Sequence, residues 1–161
     1  MSDVAQLIVG IGDIKIGKSP VRIRTNLGSC MGVCLYSSQL RVGGMLHCLS
    51  PKSSESRNKA GFRAAKYADS GLIELIDELK RVYGVDPRQL TAKIFGGACM
   101  LKSLTLNIGH ANEAAVREIL RDYHIPILNF KTGGDKGYQI DFNLENGAVG
   151  CRIFGQETQE F

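Results

Sequence analysis

The sequence predicts an α+β fold in which two stacked, mostly antiparallel sheets carry helices on one face. Three observations lead there. Strand-like runs crowd both ends of the chain, two pairs of them fold back as hairpins around 37–40 and Asn146-Gly147, and only two stretches, 61–83 and 107–123, place apolar residues at helical spacing. Hairpins, rather than alternating strand and helix units, select α+β over a parallel α/β sheet.

In chain order, residues 7–12 form a first apolar strand that Ile14 and Ile16 prolong, and Lys18-Ser19-Pro20 ends it. Val21, Ile23 and Thr25 alternate with Arg22 and Arg24, so the first three share an inward face. Residues 31–36 and 42–47 are short, apolar and glycine-containing, as buried strands are, with a polar turn between them. Residues 52–59 form a surface loop rich in Ser and charge. The first helix buries Leu72, Leu75, Ile76 and Leu79 and stops at Gly84; the second buries Ala115, Val116, Ile119 and Leu120. Residues 90–95 read as a buried strand, 125–130 as an edge strand because Pro126 cannot donate to a ladder, and 138–144 with 148–154 as the clearest hairpin. The last seven residues are polar and expected to fray.

At 161 residues the chain fits one domain, 1–161, with a real core. Its net charge of +4, from 20 Lys and Arg against 16 Asp and Glu, is dispersed and too mild for nucleic acid. No apolar run approaches membrane-spanning length, so no membrane insertion is expected. Residues 1–6 lack a secretory pattern, which points to the cytoplasm, where the five scattered cysteines are reduced thiols. Cys30, Cys34, Cys48 and His47 contain no paired-cysteine knuckle, and Gly96-Gly97 lacks the Lys-Ser or Lys-Thr ending of a phosphate loop, so neither metal nor cofactor is expected. Cys30 and Cys34 stand too far apart along a strand for a redox disulfide.

The chemistry concentrates at the open end of the first hairpin. A turn centred on Ser38 and Gln39 sets Cys30 opposite His47, at the roughly 4.5–5.5 Å Cβ separation of directly paired residues. A neighbouring imidazolium stabilises a thiolate and stays ready to protonate a leaving group. Gly28 and Ser29 let the backbone bend ahead of Cys30, aiming its N–H at an oxyanion. A buried cysteine beside a core histidine is the alternative meaning of the same pair.

Leu27-Gly28-Ser29-Cys30, His47 after Gly43-Gly44-Met45-Leu46, Lys66-Tyr67-Ala68-Asp69, Gly96-Gly97-Ala98, Asn107-Ile108-Gly109 and Thr132-Gly133-Gly134 together resemble the CheD family of chemoreceptor glutamine deamidases. The resemblance implies a three-layer α-β-β sandwich related to cytotoxic necrotizing factor catalytic domains. It implies Cys30 as nucleophile, His47 as base and a threonine just upstream as third member; Thr25 faces inward and Arg24 outward, so Thr25 takes that place. The implied reaction is hydrolysis of Gln to Glu on the cytoplasmic helices of methyl-accepting chemotaxis receptors through a thioester, with Gly28 and Ser29 at the oxyanion. A CheC-type CheY-phosphate phosphatase is the further partner that the resemblance implies. The rival expectation is a non-catalytic adaptor that stimulates that phosphatase.

Overall fold

A run that is apolar at every position cannot rest on one face only, and both strands of the first hairpin are such runs. β4 (Met31–Ser37) and β5 (Val42–Cys48) are buried along their entire lengths because they lie at the centre of the middle layer. The computed structural model describes residues 4–54, 56, 58–99 and 107–161. Residues 1–3 of the N-terminal segment, and positions 55 and 57 of the surface loop, lie outside the described residues.

The middle sheet has the order β2 (Asp13–Lys18), β5, β4, β6 (Thr91–Gly96) and β7 (Ile127–Thr132). The outer sheet has the order β1 (Gln6–Ile8), β3 (Arg22–Leu27), β8 (Tyr138–Asn143), β9 (Val149–Ile153) and β10 (Gln159–Glu160). Only β1 with β3 and β6 with β7 pair in parallel among the named strands. Helices α1 (Ala68–Tyr83) and α2 (Ile108–Asp122) cover the middle sheet on the face away from the outer one. The result is the expected α-β-β sandwich. Among the described residues no helix is long and apolar enough to cross a membrane.

Strand alternation sorts the side chains into two cores. Val33, Leu35, Leu46 and Ile94 point at the helices, against Leu72, Leu75, Leu79 and Val116. Cys34, Met45 and Phe95 point at the outer sheet, against Ile23, Ile140 and Phe142. Gly43 and Gly44 meet one layer each. A Cβ on Gly43 would stand 2.5 Å from the Leu35 carbonyl and 3.0 Å from Leu144; one on Gly44 would stand 2.7 Å from Leu75.

Four elements depart from the sequence expectation. The first strand is two: Gly12, at φ 71°, turns the chain so that β1 joins the outer sheet and β2 the middle one. The first helix starts at Ala68 because Tyr67 is extended and bridges Ser50, leaving only a 3-10 turn at Ala64–Lys66. The tail is ordered: β10 pairs with β9, and Phe161 exchanges backbone bonds of 2.8 and 2.9 Å with Val149. The hairpin register is displaced by two residues, since the turn uses Ser38 to Arg41, with Arg41 at φ 52°, and His47 pairs with Gly32 rather than Cys30.

Gly43→Ala is expected to lower unfolding free energy by about 1–3 kcal/mol, the usual cost of forcing an atom into a filled core. Gly10→Ala, whose Cβ meets nothing within 4 Å, serves as the control and should leave stability nearly unchanged. Urea denaturation of both variants checks the contrast.

Candidate active site

A shift of two residues moves a strand along its partner without turning it over. His47 therefore stays on the same face as Cys30, as the sequence predicts, and Cys30 becomes its diagonal neighbour instead of its direct partner; the structure turns that face toward the outer sheet. Diagonal neighbours have Cα atoms roughly 7–8 Å apart, still within reach of a long side chain such as imidazole. Cys30 makes no hydrogen bond to His47 in this resting arrangement; the His47 Nε2 atom is buried without a partner among the described residues.

Cys30 lies where the chain leaves β3 of the outer sheet and enters β4 of the middle one. The bend is held from one side. Ala98 N–H donates to the Gly28 carbonyl at 3.0 Å, Asn112 Nδ2 to the Ser29 carbonyl at 3.1 Å, and Gly97 N–H to the Cys30 carbonyl at 2.9 Å. In a planar trans peptide the N–H points opposite to the C=O of the same unit. The N–H groups of Ser29 and Cys30 are thus turned away from these donors, and neither reaches a backbone carbonyl among the described residues. Gly96, at φ 101°, is needed here because a Cβ would collide with the Cys30 carbonyl.

Thr25 and His47 come from different sheets and meet between them. Thr25 is 6% and His47 3% exposed. The Thr25 hydroxyl donates its one hydrogen to the Val9 carbonyl at 2.8 Å, and its oxygen lies 2.8 Å from His47 Nδ1. With that hydrogen committed, the imidazole must be the donor, which places the proton on Nδ1 and leaves the Nε2 lone pair free. Arg24 turns outward as alternation predicts and lies 3.7 Å from Asp141.

Burial sets the charge state. It pulls His47 down to about 4 and pushes the Cys30 thiol up, although the Cys30 N–H partly offsets the second effect. Near neutral pH the resting site therefore holds a thiol and a neutral imidazole. This corrects the expectation of a preformed thiolate beside an imidazolium.

A cleft of about 420 Å³ opens onto Thr25 and His47 between Ile11, Arg24 and Gln139; Cys30 does not line it. Sequence reasoning missed two contributors. The Val9 carbonyl is backbone and has no sequence signature. Asn112 does: it stands three and four residues ahead of Ala115 and Val116 on the apolar stripe of α2, and it is fully buried. Its Nδ2 also donates to the Leu49 carbonyl at 3.1 Å, while its Oδ1 has no partner among the described residues.

The CheD family model, described as CheD chemotactic sensory transduction, matches residues 49–153. That stretch contains Gly96, Gly97, Ala98 and Asn112; Thr25, Cys30 and His47 precede it. Full-length similarity extends further. A Desulforamulus reducens protein named probable chemoreceptor glutamine deamidase CheD is 43% identical over 156 residues, 94% of this chain and 92% of the relative. An Archaeoglobus fulgidus protein of the same name is 38% identical, covering 90% of this chain and 91% of its own. A Thermotoga maritima protein named chemoreceptor glutamine deamidase CheD is 38% identical, covering 94% of each chain.

The low value for His47 has a consequence for stability. The unfolded chain binds a proton at His47 near pH 6.5 and the folded chain only near 4, so protons favour unfolding between those values. This contribution is complete above pH 6.5, and about 3 kcal/mol is lost as the pH falls to 4. His47→Gln should flatten this part of the stability profile, which urea denaturation at a series of pH values will measure.

Proposed function

The chain belongs to the CheD family of chemoreceptor glutamine deamidases, and from that premise we propose that it converts receptor glutamine to glutamate with Cys30 as nucleophile, His47 as base and Thr25 as the group that orients the base. The observation that carries these roles is the tautomer of His47. Thr25 and Val9 commit Nδ1 as donor, so Nε2 is available to take a proton.

The steps follow from neutral partners. As Cys30 Sγ attacks the carboxamide carbon, its proton passes to His47 Nε2, so charge develops only with bond formation. The carbonyl oxygen becomes an oxyanion, which the N–H groups of Ser29 and Cys30, at the bend that includes Gly28, receive. The tetrahedral intermediate collapses, the C–N bond breaks, and the His47 imidazolium protonates departing ammonia. A thioester and neutral His47 remain. Water gives a proton to Nε2 as it attacks, the C–S bond breaks, and the proton returns to sulfur, leaving Glu and the free thiol. Imidazolium forms only in contact with the developing negative charge, which compensates for its poor stability in this buried setting.

Cys30 is only 7% exposed, so a slender, flexible glutamine side chain suits the approach better than a bulky one. The reading places the enzyme in the cytoplasm, acting on receptor helices there, with a CheC-type phosphatase as a second partner. No cofactor enters any step.

Incubating the purified chain with a chemoreceptor cytoplasmic fragment should release ammonia and convert glutamine to glutamate by mass spectrometry. Cys30→Ala and His47→Gln should each abolish both signals, and the double variant should be scarcely worse than either because the pair acts as one unit. Thr25→Ala should slow turnover by about one to two powers of ten, roughly 1.4–2.8 kcal/mol of barrier, while Thr25→Ser retains most activity. Wild-type turnover in Thr25→Ala would assign the orienting role to another group.

A further inference from the structure

Among the described residues, two buried side-chain atoms lack a partner: His47 Nε2 and Asn112 Oδ1. The first belongs to the base. The second belongs to a side chain that the reaction steps do not use, on a different element, in contact with the bend that carries Cys30.

Both amide hydrogens of Asn112 are committed, one to the Ser29 carbonyl and one to the Leu49 carbonyl, each at 3.1 Å. Two carbonyl acceptors can be served only by the nitrogen, so the orientation of the amide is determined by its contacts. The Ser29 carbonyl and the Cys30 N–H are the two ends of one planar peptide. Holding the carbonyl from the α2 side therefore fixes the direction of the Cys30 N–H on the other side, and a hydrogen bond accepted at the carbonyl polarises the N–H at its far end. The Leu49 contact ties the same amide to the segment that follows β5, two residues beyond His47. One side chain thus spans the supports of the nucleophile and of the base.

We propose that Asn112 is a positioning residue for the oxyanion site: it orients and polarises the Ser29–Cys30 peptide so that the Cys30 N–H meets the oxygen of the tetrahedral intermediate. Asn112 does not touch the substrate, because its free oxygen is shut off from solvent. It acts through the peptide. This role rests on the deamidase reading and adds a residue to it.

The test uses the full chain and a chemoreceptor cytoplasmic fragment, with Asn112→Ala and Asn112→Asp. An oxyanion contact exists only after attack, so kcat should fall about ten- to a hundredfold while KM stays within about twofold. Alkylation of Cys30 by iodoacetamide forms no oxyanion, so the limiting rate of its thiolate, taken from a pH profile, should stay within about twofold of wild type in Asn112→Ala. Lowering the pH from 8 to 6 should restore part of the kcat of Asn112→Asp alone, because a protonated buried carboxyl regains one donor while His47 remains neutral down to about 4. Equal kcat in wild type and variants overturns the proposal and leaves the deamidase reading intact. A parallel loss of alkylation and turnover, or failure of both variants to fold by circular dichroism, assigns Asn112 to structure and also overturns it. Absence of ammonia release from the wild-type chain removes the deamidase reading and this proposal together.

Discussion

The Thr25 hydroxyl has one hydrogen, and the site depends on where it goes. Given to the Val9 carbonyl, it leaves only an acceptor for His47 Nδ1, and the free lone pair of the imidazole is thereby fixed at Nε2. This single choice links β3 and β5, which lie in different sheets, with the segment that follows β1. Thr25 pairs with Ile140 in the outer sheet, and His47 pairs with Gly32 in the middle one. The absence of a side chain at Gly32 lets the layers close around the pair, for a Cβ there would stand 2.9 Å from both Ile140 and Leu27. The hydrogen bond exists because the sandwich is tight, and burial in the sandwich gives the bond its consequences.

Burial raises the Cys30 thiol, so it does not separate Cys30 from the cysteines of the strands. It pushes every strand thiol upward: Cys34 strongly, Cys48 to about 12 and Cys151 to about 11. A depressed thiol is therefore not the feature that singles out the proposed nucleophile. Backbone is. Cys34, Cys48 and Cys151 sit within ladders whose N–H groups are spoken for, whereas Cys30 stands on a bend whose carbonyls are all engaged on one side. The leftover N–H groups of Ser29 and Cys30 face the other way. The proposed oxyanion site, made from a strand crossing, needs no special side chain at positions 28 or 29, only a bend that is held from behind.

Legibility in the sequence followed the range of the interaction. Alternation along one strand placed Thr25 inward and Arg24 outward, and composition identified the buried hairpin. Register was harder, because it depends on how many residues a turn consumes. Arg41 in a left-handed conformation lengthens this turn, and no rule of composition marks an arginine for that state. The error was even, so the face of His47 survived it. The division of β1 from β2 was hidden because Gly10 and Gly12 suit a buried strand as well as a crossover. Asn112 was visible as a polar residue on an apolar stripe, but its partners lie 83 and 63 residues away in the chain.

The glycines after β6 acquire a physical meaning from the same contacts. Gly96 gives way to the Cys30 carbonyl, Gly97 donates to that carbonyl, and Gly109 lets the first turn of α2 rest on the Gly97 carbonyl, since a Cβ there would overlap it. That close approach brings Asn112, one turn further along α2, onto the Ser29 carbonyl. The stretch recognised by the family model, residues 49–153, lacks Thr25, Cys30 and His47. It nevertheless contains Gly97, Ala98 and Asn112, the three donors that hold the bend. The proposed nucleophile, placed by a strand crossing, needs a rigid counterface. In this chain the glycine-rich exit of β6 and the buried flank of α2 supply it.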